Sequence, residues 1–286
     1  MPSIALATYA ELPDLDDDDL PLARELAALG ARVVPAVWND AGVDWSDFDL
    51  IVLRSCWDYD LDPAGFLRWL AQLEAARAPL WNPPRVATWN VDKRHLLELE
   101  RAGVPIIPTL RAPAGDARRL RACLDELEAD EAVVKPAVSL SAHGTWRTSR
   151  ASAATDEARW REQVERCDLL VQRFVPEIAR GGEWSFVHLG GAFSHACRKL
   201  PAAGDFRVQQ ELGGSLERVE PAPELVSQAE RVLAAPPGPH LYSRVDGVVV
   251  DGAFLLMEVE LIDPQLYLRV APDAARRLAE LAVARV

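Results

Sequence analysis

The order of elements in the first third of the chain constrains the fold more than any other feature of the sequence. Segments 4–9, 31–38 and 49–54 are short and almost wholly apolar, which is typical of strands buried on both faces. Helices are predicted between and after them, at 20–29 and 63–76. This alternation predicts a parallel αβ unit. No Gly-x-Gly-x-x-Gly sequence follows the first strand, so a dinucleotide-binding version of the unit has no support.

The rest of the chain mixes helices with strands that pair as hairpins. Gly190-Gly191 and Asp251-Gly252 are hairpin turn signals between apolar segments. The fold class is therefore α/β followed by α+β, and we expect domains at 1–85, 86–170 and 171–286. The predicted elements, in order, are helices at 91–101 and 116–129, a strand at 132–136, an aperiodic polar stretch at 139–152, a helix at 155–166, strands at 169–174, 184–189 and 192–200, a helix at 224–234, a hairpin of 241–249 with 253–261, and a helix at 274–284.

Composition excludes several classes of protein. The 286 residues are 49% hydrophobic, and 31 basic against 44 acidic residues give a net charge of −13, which disfavours nucleic acid and anionic membranes as partners. The acidic run at 14–19 is most simply a solvated loop. Residues 1–10 carry no basic residue, and no run approaches the roughly 20 apolar residues of a membrane helix. We therefore expect a cytoplasmic protein. Four widely spaced cysteines predict neither a disulfide framework nor a zinc site: Cys56, Cys123, Cys167 and Cys197.

Lysine is rare in this chain. Only Lys93, Lys135 and Lys199 are lysines, and the other 28 basic residues are arginines. In such a background each retained lysine is more informative than it would be in a lysine-rich protein.

The most informative segment is the last hairpin. Arg244 and Asp246 are two apart on one strand, and Glu258 and Glu260 are two apart on the other, so each pair shares a face. Carboxylates that converge on one face repel each other unless a cation joins them, and Mg²⁺ takes such oxygen ligands. The alternative is that Glu258 and Glu260 line a solvated face.

The hairpin loop decides whether both pairs share the same face. A two-residue Asp251-Gly252 turn would set Asp246 against Met257 and send Glu258 to the other side. A three-residue loop would set Arg244 against Glu258 and bring all four ionisable side chains together. We predict an odd-numbered loop or an equivalent bulge.

An ordered set of motifs gives the chain a resemblance to a known family. Over roughly residues 85–265 the chain resembles the ATP-grasp superfamily, in its glutathione synthetase and ribosomal-protein glutamate ligase branch. Within that superfamily it looks nearest to the O-ureidoserine cyclo-ligases of cycloserine biosynthesis. The motifs are Lys93 after Asn90-Val-Asp92, Val-Val-Lys135-Pro, Val171 to Glu177 followed by Glu183, Asp205-Phe-Arg207, Arg244-Val-Asp246, Glu258-Val-Glu260 and Asp263-Pro264.

The resemblance implies an ATP-grasp fold, in which a substrate-side αβ unit precedes two α+β subdomains that clasp ATP. It implies ATP and Mg²⁺ (or Mn²⁺) as cofactors, with two metal ions bridging the phosphates. The implied roles are Lys93 and Lys135 on the α- and β-phosphates, Ser141 and Gly144 in the loop that covers them, Gln172, Phe174 and Val175 around adenine, Glu183 or Glu177 on the ribose, Asp246, Glu258 and Glu260 as metal ligands, Arg244 on the transferring phosphoryl group, and Arg207 and Lys199 on phosphate or an acyl phosphate.

The sequence departs from the family pattern at two places. The loop over the phosphates is usually glycine-rich, whereas 139–145 contains Gly144 as its single glycine. Glu260 stands where many members have asparagine. His143, in the same loop, could contact a phosphate, but a loop histidine without a role is the favoured interpretation.

The substrate side is less specific. Residues 54–59 follow the carboxyl end of a buried strand, where ligands bind in open α/β sheets. Arg54 is a candidate for holding a substrate carboxylate, and Trp57 or Tyr59 for forming a wall, although the aromatic residues could equally cap the core. The other substrate candidates are Tyr9, Ser55 and Asp58.

The resemblance implies an ATP-dependent carboxylate–amine ligase that acts through an acyl phosphate on a small amino-acid-like substrate and releases ADP and phosphate. An intramolecular ring closure is a variant of that reaction. The implied partners are a small carboxylate and an amine-type nucleophile, with a homodimer left open. Two alternatives remain: a non-catalytic ATP-binding module, and a ligase that modifies a peptide or protein.

Overall fold

A computed structural model describes residues 1–202, 207–208 and 213–286, and contains three β-sheets. The first is a parallel sheet of β1 (Ser3–Thr8), β2 (Arg32–Val37), β3 (Leu50–Ser55) and β4 (Leu80–Trp81), in the order β2-β1-β3-β4. Helices α1 (Leu20–Ala28) and α2 (Pro63–Ala75) connect its strands. Strands β1 and β3 are buried along their whole length, as their apolar sequences predict. The predicted fold class is confirmed.

The second sheet is antiparallel, in the order β5-β8-β6-β7. Its strands are β5 (Thr109–Ala112), β6 (Glu131–Pro136), β7 (Trp146–Ser149) and β8 (Leu169–Arg173). Strand β7 lies inside the polar stretch that showed no periodicity. The helices of this part are α3 (Pro84–Asn90), α4 (His95–Arg101), α5 (Leu120–Glu126) and α6 (Ala153–Arg166).

The predicted helix at 91–101 is shorter than expected. The chain leaves helix α3 at Asn90 and enters α4 at His95, and in the break the backbone N–H of Lys93 donates to the carbonyl of Ala137 at 2.8 Å. This bond ties Lys93 to the segment that follows β6. The break therefore fixes Lys93 next to the strand that carries Lys135.

The third sheet is antiparallel, in the order β11-β10-β9-β12-β13. Its described elements are α7 (Ile178–Gly181), β9 (Glu183–Leu189), β10 (Ala192–Leu200), β11 (Ser215–Val219), α8 (Pro223–Val232), β12 (Tyr242–Val250), β13 (Ala253–Glu260) and α9 (Pro272–Val283). Leu278 of α9 packs in one core with Leu22 of α1, Ile4 of β1 and Val187 of β9. The first and third sheets are therefore joined by a shared core.

The last hairpin closes with a two-residue turn. A bulge then shifts the register, so that the ionisable side chains of both strands lie on the same face despite this turn. Asp251 and Gly252 have φ of 50° and 82° and form the turn, so the three-residue loop and its pairing of Arg244 with Glu258 are wrong. The register then shifts, so that Asp246 faces Glu258 and Arg244 faces Glu260. The bulge that we predicted as the equivalent of an odd loop is thus present, and all four side chains share one face.

Gly247 makes the bulge sterically feasible. A Cβ at this position would meet the carbonyl oxygen of Leu255 and the ring of Phe254. Only a residue without a side chain allows the two strands to approach so closely at the point where the register shifts.

The acidic run at 14–19 is only partly a solvated loop. Asp18 and Asp19 are buried, with 2% and 1% of their surface exposed. Asp18 accepts hydrogen bonds from the backbone N–H groups of Leu266 and Arg269, and Asp19 pairs with Arg54. The interpretation of the run as a solvated loop is therefore wrong for these two residues, because they fasten the segment after β13 to the first sheet.

Within the three described ranges, no helix is long and apolar enough to cross a membrane.

Candidate active site

A cavity of about 510 Å³ lies where the three sheets meet. All three lysines of the chain line it, although they come from the break before α4, from β6 and from β10. The described residues that line it and that carry the argument are Asp16, Trp57, Tyr59, Lys93, Lys135, Ser141, Gln172, Phe174, Val175, Glu183, Lys199, Arg207, Arg244, Asp246, Glu258, Glu260, Asp263, Gln265 and Tyr267.

Six ionisable side chains on neighbouring strands of the third sheet form what we call the charged face. Arg244 donates from Nε to Asp246 Oδ2 at 2.9 Å and from Nη1 to the carbonyl of Gln265 at 2.9 Å, and it also pairs with Glu260. Asp246 accepts a further hydrogen bond from Ser185 at 2.6 Å. The face comprises Glu183, Lys199, Arg244, Asp246, Glu258 and Glu260.

Burial and neighbouring charges together set the protonation states on this face. Burial raises the pKa of Glu260 to about 7, and Arg244 offsets only part of that rise. Burial opposes the charge of Glu258 as well, but Lys93 and Lys135 outweigh it and lower the pKa of Glu258 to about 2. Lys199 pairs with Glu183, and Asp246 and Glu183 together raise the pKa of Lys199 despite its burial.

The two lysines beside the second sheet differ in their partners. Lys93 Nζ lies 2.9 Å from Glu258 Oε1 and donates to the carbonyl of Ser139. Lys135 Nζ donates to Gln172 Oε1 at 3.2 Å, and no described carboxylate lies within ion-pair distance of it. Burial lowers the pKa of Lys135, which is the expected effect on a cation without a close counter-charge. Lys135 is therefore the cation best prepared to receive an anionic ligand.

The loop over this part of the cavity compensates for its lack of glycines. Ser141 and Ala142 both adopt left-handed backbone conformations, with φ of 46° and 58°, next to Gly144 at 69°. Such conformations turn successive backbone N–H groups toward one side, as an anion-binding loop requires. Ser141 lines the cavity, whereas Gly144 does not and instead accepts a hydrogen bond from Gln163 through its carbonyl.

Most of the remaining candidates from the ATP-grasp motifs reach the cavity. Phe174, Val175 and Arg207 line it, and Glu183 does so from the start of β9. Glu177 does not line it, because it lies at the N-terminus of the short helix α7. Asp205 lies outside the described residues.

The three carboxylates of the last hairpin have the oxygen donors that a divalent cation binds, but each of them forms an ion pair with a lysine or an arginine. Among the described residues, no group of three carboxylate, histidine or cysteine side chains is arranged to hold a metal ion. Glu258 is paired with Lys93, and Glu260 and Asp246 are paired with Arg244. Their oxygen atoms are the donors that Mg²⁺ takes, so these ion pairs would have to open for the metal to bind.

The substrate-side candidates divide into two groups. Trp57 and Tyr59 line the cavity. Tyr9, Arg54, Ser55 and Asp58 are not among the described residues that line it, so these four do not lie where we expected them.

The structure gives physical reasons for three of these placements. Arg54 is 1% exposed, and it donates to Asp19 at 2.7 Å and to the carbonyl of Pro264 at 2.8 Å. Ser55 donates to the other oxygen of Asp19 at 2.6 Å. Asp58 accepts a hydrogen bond from the Trp38 indole. Their polar groups thus hold the fold together instead of facing the cavity.

Sequence reasoning assigned no role to four residues that line this side of the cavity: Asp16, Asp263, Gln265 and Tyr267. Gln265 donates to Asp16 at 3.3 Å, and Tyr267 has a left-handed φ of 54°. Asp263 stood inside a recognised motif, but nothing in its sequence context showed that its side chain is buried. The acidic run was the available signal for Asp16, because polar residues just after a buried strand often line a ligand cleft.

Known proteins resemble the chain along its whole length. Residues 4–82 match the family described as D-cycloserine synthetase DcsG, N-terminal domain. The chain is 32% identical to the cycloserine biosynthesis protein DcsG of Streptomyces lavendulae over 302 residues, which cover 99% of this chain and 98% of that protein. The crystal structure of D-cycloserine synthetase DcsG has a TM-score of 0.88, with 28% identity and 99% of each chain covered.

A more distant structure shares the fold. The RimK domain protein ATP-grasp from Sphaerobacter thermophilus DSM 20745 superposes with a TM-score of 0.73 at 18% identity, covering 99% of this chain and 100% of that one. At this identity the similarity concerns the fold alone.

Proposed function

The chain belongs to the family of the cycloserine biosynthesis protein DcsG, and from this premise we propose that it activates the carboxylate of a small amino-acid-like molecule as an acyl phosphate and joins it to an amine-type nucleophile. It is an ATP-grasp ligase of the class that forms carbon–nitrogen bonds and releases ADP. One observation carries the proposal: the only three lysines of the chain converge on a single cavity beside Arg244.

The nucleotide would bind between the second and third sheets. Lys135 and Lys93 would neutralise the phosphates, and the backbone N–H groups around Ser141 would add hydrogen bonds. The walls at Gln172, Phe174 and Val175 suit a flat aromatic base, and Glu183 is the ribose candidate that lines the cavity, in preference to Glu177. In this proposal residues 1–85 serve the substrate side, while 86–170 and 171–286 clasp the nucleotide.

Asp246, Glu258 and Glu260 are the proposed ligands of Mg²⁺, or of Mn²⁺ in its place. When bound, the metal would neutralise charge on the phosphates. Release of Lys93 from Glu258 would at the same time free that lysine for the nucleotide. Binding of the nucleotide and of the metal would therefore reinforce each other through this exchange of partners.

The reaction has two balanced steps. A substrate carboxylate oxygen attacks the γ-phosphorus of ATP, the bond to the β-phosphate oxygen breaks, and ADP leaves. The amine then attacks the acyl carbon, inorganic phosphate leaves with the bonding electrons, and the amine loses one proton. Arg244 would stabilise charge on the transferring group, and Arg207 and Lys199 would hold the acyl phosphate.

Two alternatives have less support. A non-catalytic ATP-binding module has no need of an arginine on the charged face, yet Arg244 is there and buried. A ligase for a peptide or protein is less favoured by a cavity of this size, lined by residues from all three sheets. Since one relative is called a D-cycloserine synthetase, ring closure within one substrate is a variant of the proposed reaction. A homodimer remains a further proposal.

Mg²⁺-dependent release of ADP tests this function. Wild-type protein is incubated with ATP and pools of amino acids and small carboxylates, next to Lys135→Met and Glu258→Gln. We expect release with one pool only, and loss of that release in both variants. AMP and pyrophosphate in place of ADP would contradict the acyl-phosphate mechanism, and stimulation that survives in both variants would contradict the site.

A further inference from the structure

A chain of hydrogen bonds that begins outside the cavity holds Lys135. Its Nζ atom donates to Gln172 Oε1 at 3.2 Å, and Gln172 Nε2 donates to Thr109 Oγ1 at 3.0 Å. The Thr109 hydroxyl group in turn donates to the carbonyl of Ile107 at 2.7 Å. Lys135 and Gln172 line the cavity, whereas Thr109 is not among the described residues that do so. Thr109 therefore reaches the cavity only through the Gln172 side chain.

Strand pairing places the three side chains on one face of the second sheet. Thr109 of β5 and Val133 of β6 are the cross-strand partners of Gln172 on β8, and Lys135 follows Val133 by two residues. Since residues two apart on a strand share a face, the side chains of Thr109, Gln172 and Lys135 lie together. Gln172 and Lys135 are both buried, so the hydrogen bond between them is shielded from bulk water.

The two ends of the Gln172 amide have partners of opposite kinds, which fixes its orientation. An ammonium group can only donate, so Lys135 requires the amide oxygen. The proton of the Thr109 hydroxyl group goes to the carbonyl of Ile107, so the hydroxyl oxygen is left as an acceptor and requires the amide NH₂ group. A flipped amide would set two donors against each other at Lys135 and two acceptors at Thr109. Both ends therefore favour the same orientation.

The far end of this chain is attached to the third sheet. The backbone N–H of Ile107 donates to the carbonyl of Leu256 on β13 at 3.0 Å, and the N–H of Leu256 donates to the carbonyl of Pro105 at 3.0 Å. These bonds hold segment 105–107 against the strand that carries Glu258. Thr109 thus orients a side chain of the second sheet from a backbone segment that is held by the third sheet.

We infer that Thr109 is a positioning residue for the nucleotide: its hydroxyl group holds the Gln172 amide in the orientation that presents an oxygen to Lys135, and so keeps the Lys135 ammonium group in place in the cavity. The inference rests on the proposed function, in which Lys135 neutralises the nucleotide phosphates, and deepens it. Without the hydroxyl group, the buried NH₂ group of Gln172 loses its acceptor, which is costly, so we expect the Gln172 side chain to move. Lys135 then loses its support, and nucleotide affinity should fall about tenfold.

The scarcity of lysine makes this inference directly testable. Protein labelled with ¹³C at lysine Cε gives NMR signals from Lys93, Lys135 and Lys199 alone, and Lys135→Met identifies the signal of Lys135. The spectra are recorded without nucleotide, so they report on the surroundings of each lysine in the protein itself. Wild type is compared with Thr109→Val and Thr109→Ala, which lack the hydroxyl group, and with Thr109→Ser, which retains it.

A matched control comes from the same sheet. Thr148 on β7 is a buried threonine whose hydroxyl group donates to Asp156 Oδ2 at 2.7 Å, and it is not among the described residues that line the cavity. Thr148→Val therefore removes a buried hydroxyl group without touching the hydrogen bonds that hold Lys135. Gln172→Glu supplies a second background, because the two oxygens of a carboxylate are equivalent acceptors and need nothing to orient them.

The inference predicts that the Lys135 signal shifts in Thr109→Val and stays at its wild-type position in Thr109→Ser and in Thr148→Val. In the Gln172→Glu background, Thr109→Val should shift it little further. An unchanged Lys135 signal in Thr109→Val overturns the inference, and Thr109→Ala decides in the same way if Thr109→Val does not fold. Equal shifts in the two backgrounds also overturn it, because Thr109 would then act by a route other than the orientation of the amide.

Calorimetry with Mg²⁺ and ADP measures the consequence for the nucleotide. The Kd for ADP should rise about tenfold in Thr109→Val and less than about threefold in Thr109→Ser and in Thr148→Val. Equal weakening in Thr109→Val and Thr148→Val overturns the inference, because the loss of any buried hydroxyl group in the second sheet would then be sufficient. A shifted Lys135 signal with an unchanged Kd overturns it as well.

The two measurements separate this inference from the proposed function. If wild type binds no nucleotide, the proposed function fails, and the lysine spectra still decide whether Thr109 positions Lys135. If wild type binds ADP while the Lys135 signal is unchanged in both Thr109→Val and Thr109→Ala, only the inference fails.

Discussion

The charged face differs in construction from a second wall of the same cavity, which we call the Asp263 wall and which comprises Asp16, Trp57, Asp263, Gln265 and Tyr267. The charged face lies on neighbouring strands, and each of its carboxylates has a cation as partner within the protein. The Asp263 wall is made of loop residues from both halves of the chain, and its central carboxyl group has no cation within ion-pair distance among the described residues. The charged face is therefore neutralised by its own ion pairs, whereas burial and Glu260 raise the pKa of Asp263 to about 8 and favour its neutral form.

The largest effect is expected at Lys135, which has no ion pair among the described residues, whereas Lys93 and Lys199 each have one. Lys135→Met should lower ADP formation at least 100-fold, because it removes the buried charge that we propose neutralises the nucleotide phosphates. It should change the melting temperature only slightly, because the lost attraction to Glu258 is offset by the removal of a buried cation that has no ion pair among the described residues. Steady-state kinetics and calorimetry check both statements, with exposed Arg166→Met on α6 as the control. A large loss of stability in Lys135→Met would mean that this lysine does have a structural partner.

A double-mutant cycle measures how far the charged face depends on its internal pairing. Lys93→Met should cost about 2 kcal/mol of unfolding free energy, because it leaves the half-buried Glu258 without its cation. The further change Glu258→Gln should recover part of that loss, with a coupling of about 1–3 kcal/mol. Urea unfolding of the four proteins gives the coupling. Strictly additive losses would show that the pair contributes no stability of its own.

The bulge can be tested through its glycine. Gly247→Ala should cost about 2–3 kcal/mol and abolish most activity, since the added Cβ meets Leu255 and Phe254 and the register has to change. Gly252→Asn, in the adjoining turn, is the matched control, because that position is open and asparagine tolerates a positive φ. If the two changes had equal effects on the urea midpoint and on ADP release, the bulge would not be what places the four side chains on one face.

Asp18 anchors the segment that carries the Asp263 wall, and its removal should lower the unfolding free energy by no more than Lys93→Met or Gly247→Ala does. Asp18→Ala removes the acceptor of two backbone N–H groups, of Leu266 and of Arg269, and should cost about 2 kcal/mol. Because the wall then loosens, KM for the carboxylate substrate should rise more than KM for ATP. Initial-rate kinetics with each substrate varied in turn give the two values. An equal rise in both would show that Asp18 supports the whole fold and not this wall in particular.

A pH dependence of stability belongs to neither region, and its contribution from any single histidine is the smallest of the expected effects. Burial lowers the pKa of His95, His188 and His195 to about 4, below the 6.5 of the unfolded chain. The unfolded state therefore binds more protons below pH 6.5, and stability falls as pH falls from about 6.5 toward 4. Each histidine should contribute about 1 kcal/mol between pH 7.5 and 5.5. Urea unfolding at these two values, repeated with His188→Phe, should show a shallower dependence for the variant.

Strand periodicity allowed the sequence to predict much of the charged face. Residues two apart share a face, so Arg244 with Asp246 and Glu258 with Glu260 could be paired before any coordinates were known. The two pairs lie on the same face only because Met257 is an extra residue in β13 at the bulge. A bulge requires a close approach of the two backbones, which the alternation of residues in a sequence does not reveal. Gly247 was the one sign of it in the chain.

The substrate side was harder to predict because its geometry depends on contacts between distant segments. Arg54 is a reasonable carboxylate-binding residue by position, yet its partner Asp19 lies in a run that sequence alone describes as solvent-exposed. Asp263 is the converse case, a polar residue whose burial follows from packing against Trp57 and the first sheet. Neither contact occurs at a fixed spacing along the chain, so neither can be predicted from a sequence pattern.

The core shared by α1, β1 and α9 has a consequence for how the protein is made. The first strand and helix emerge early from the ribosome, but Leu278 and its neighbours in α9, which complete their hydrophobic surroundings, are synthesised long afterwards. We therefore expect the amino-terminal unit to expose apolar surface until α9 has been synthesised. A nascent chain stalled before residue 272 should be bound by chaperones, while release of α9 should end that dependence.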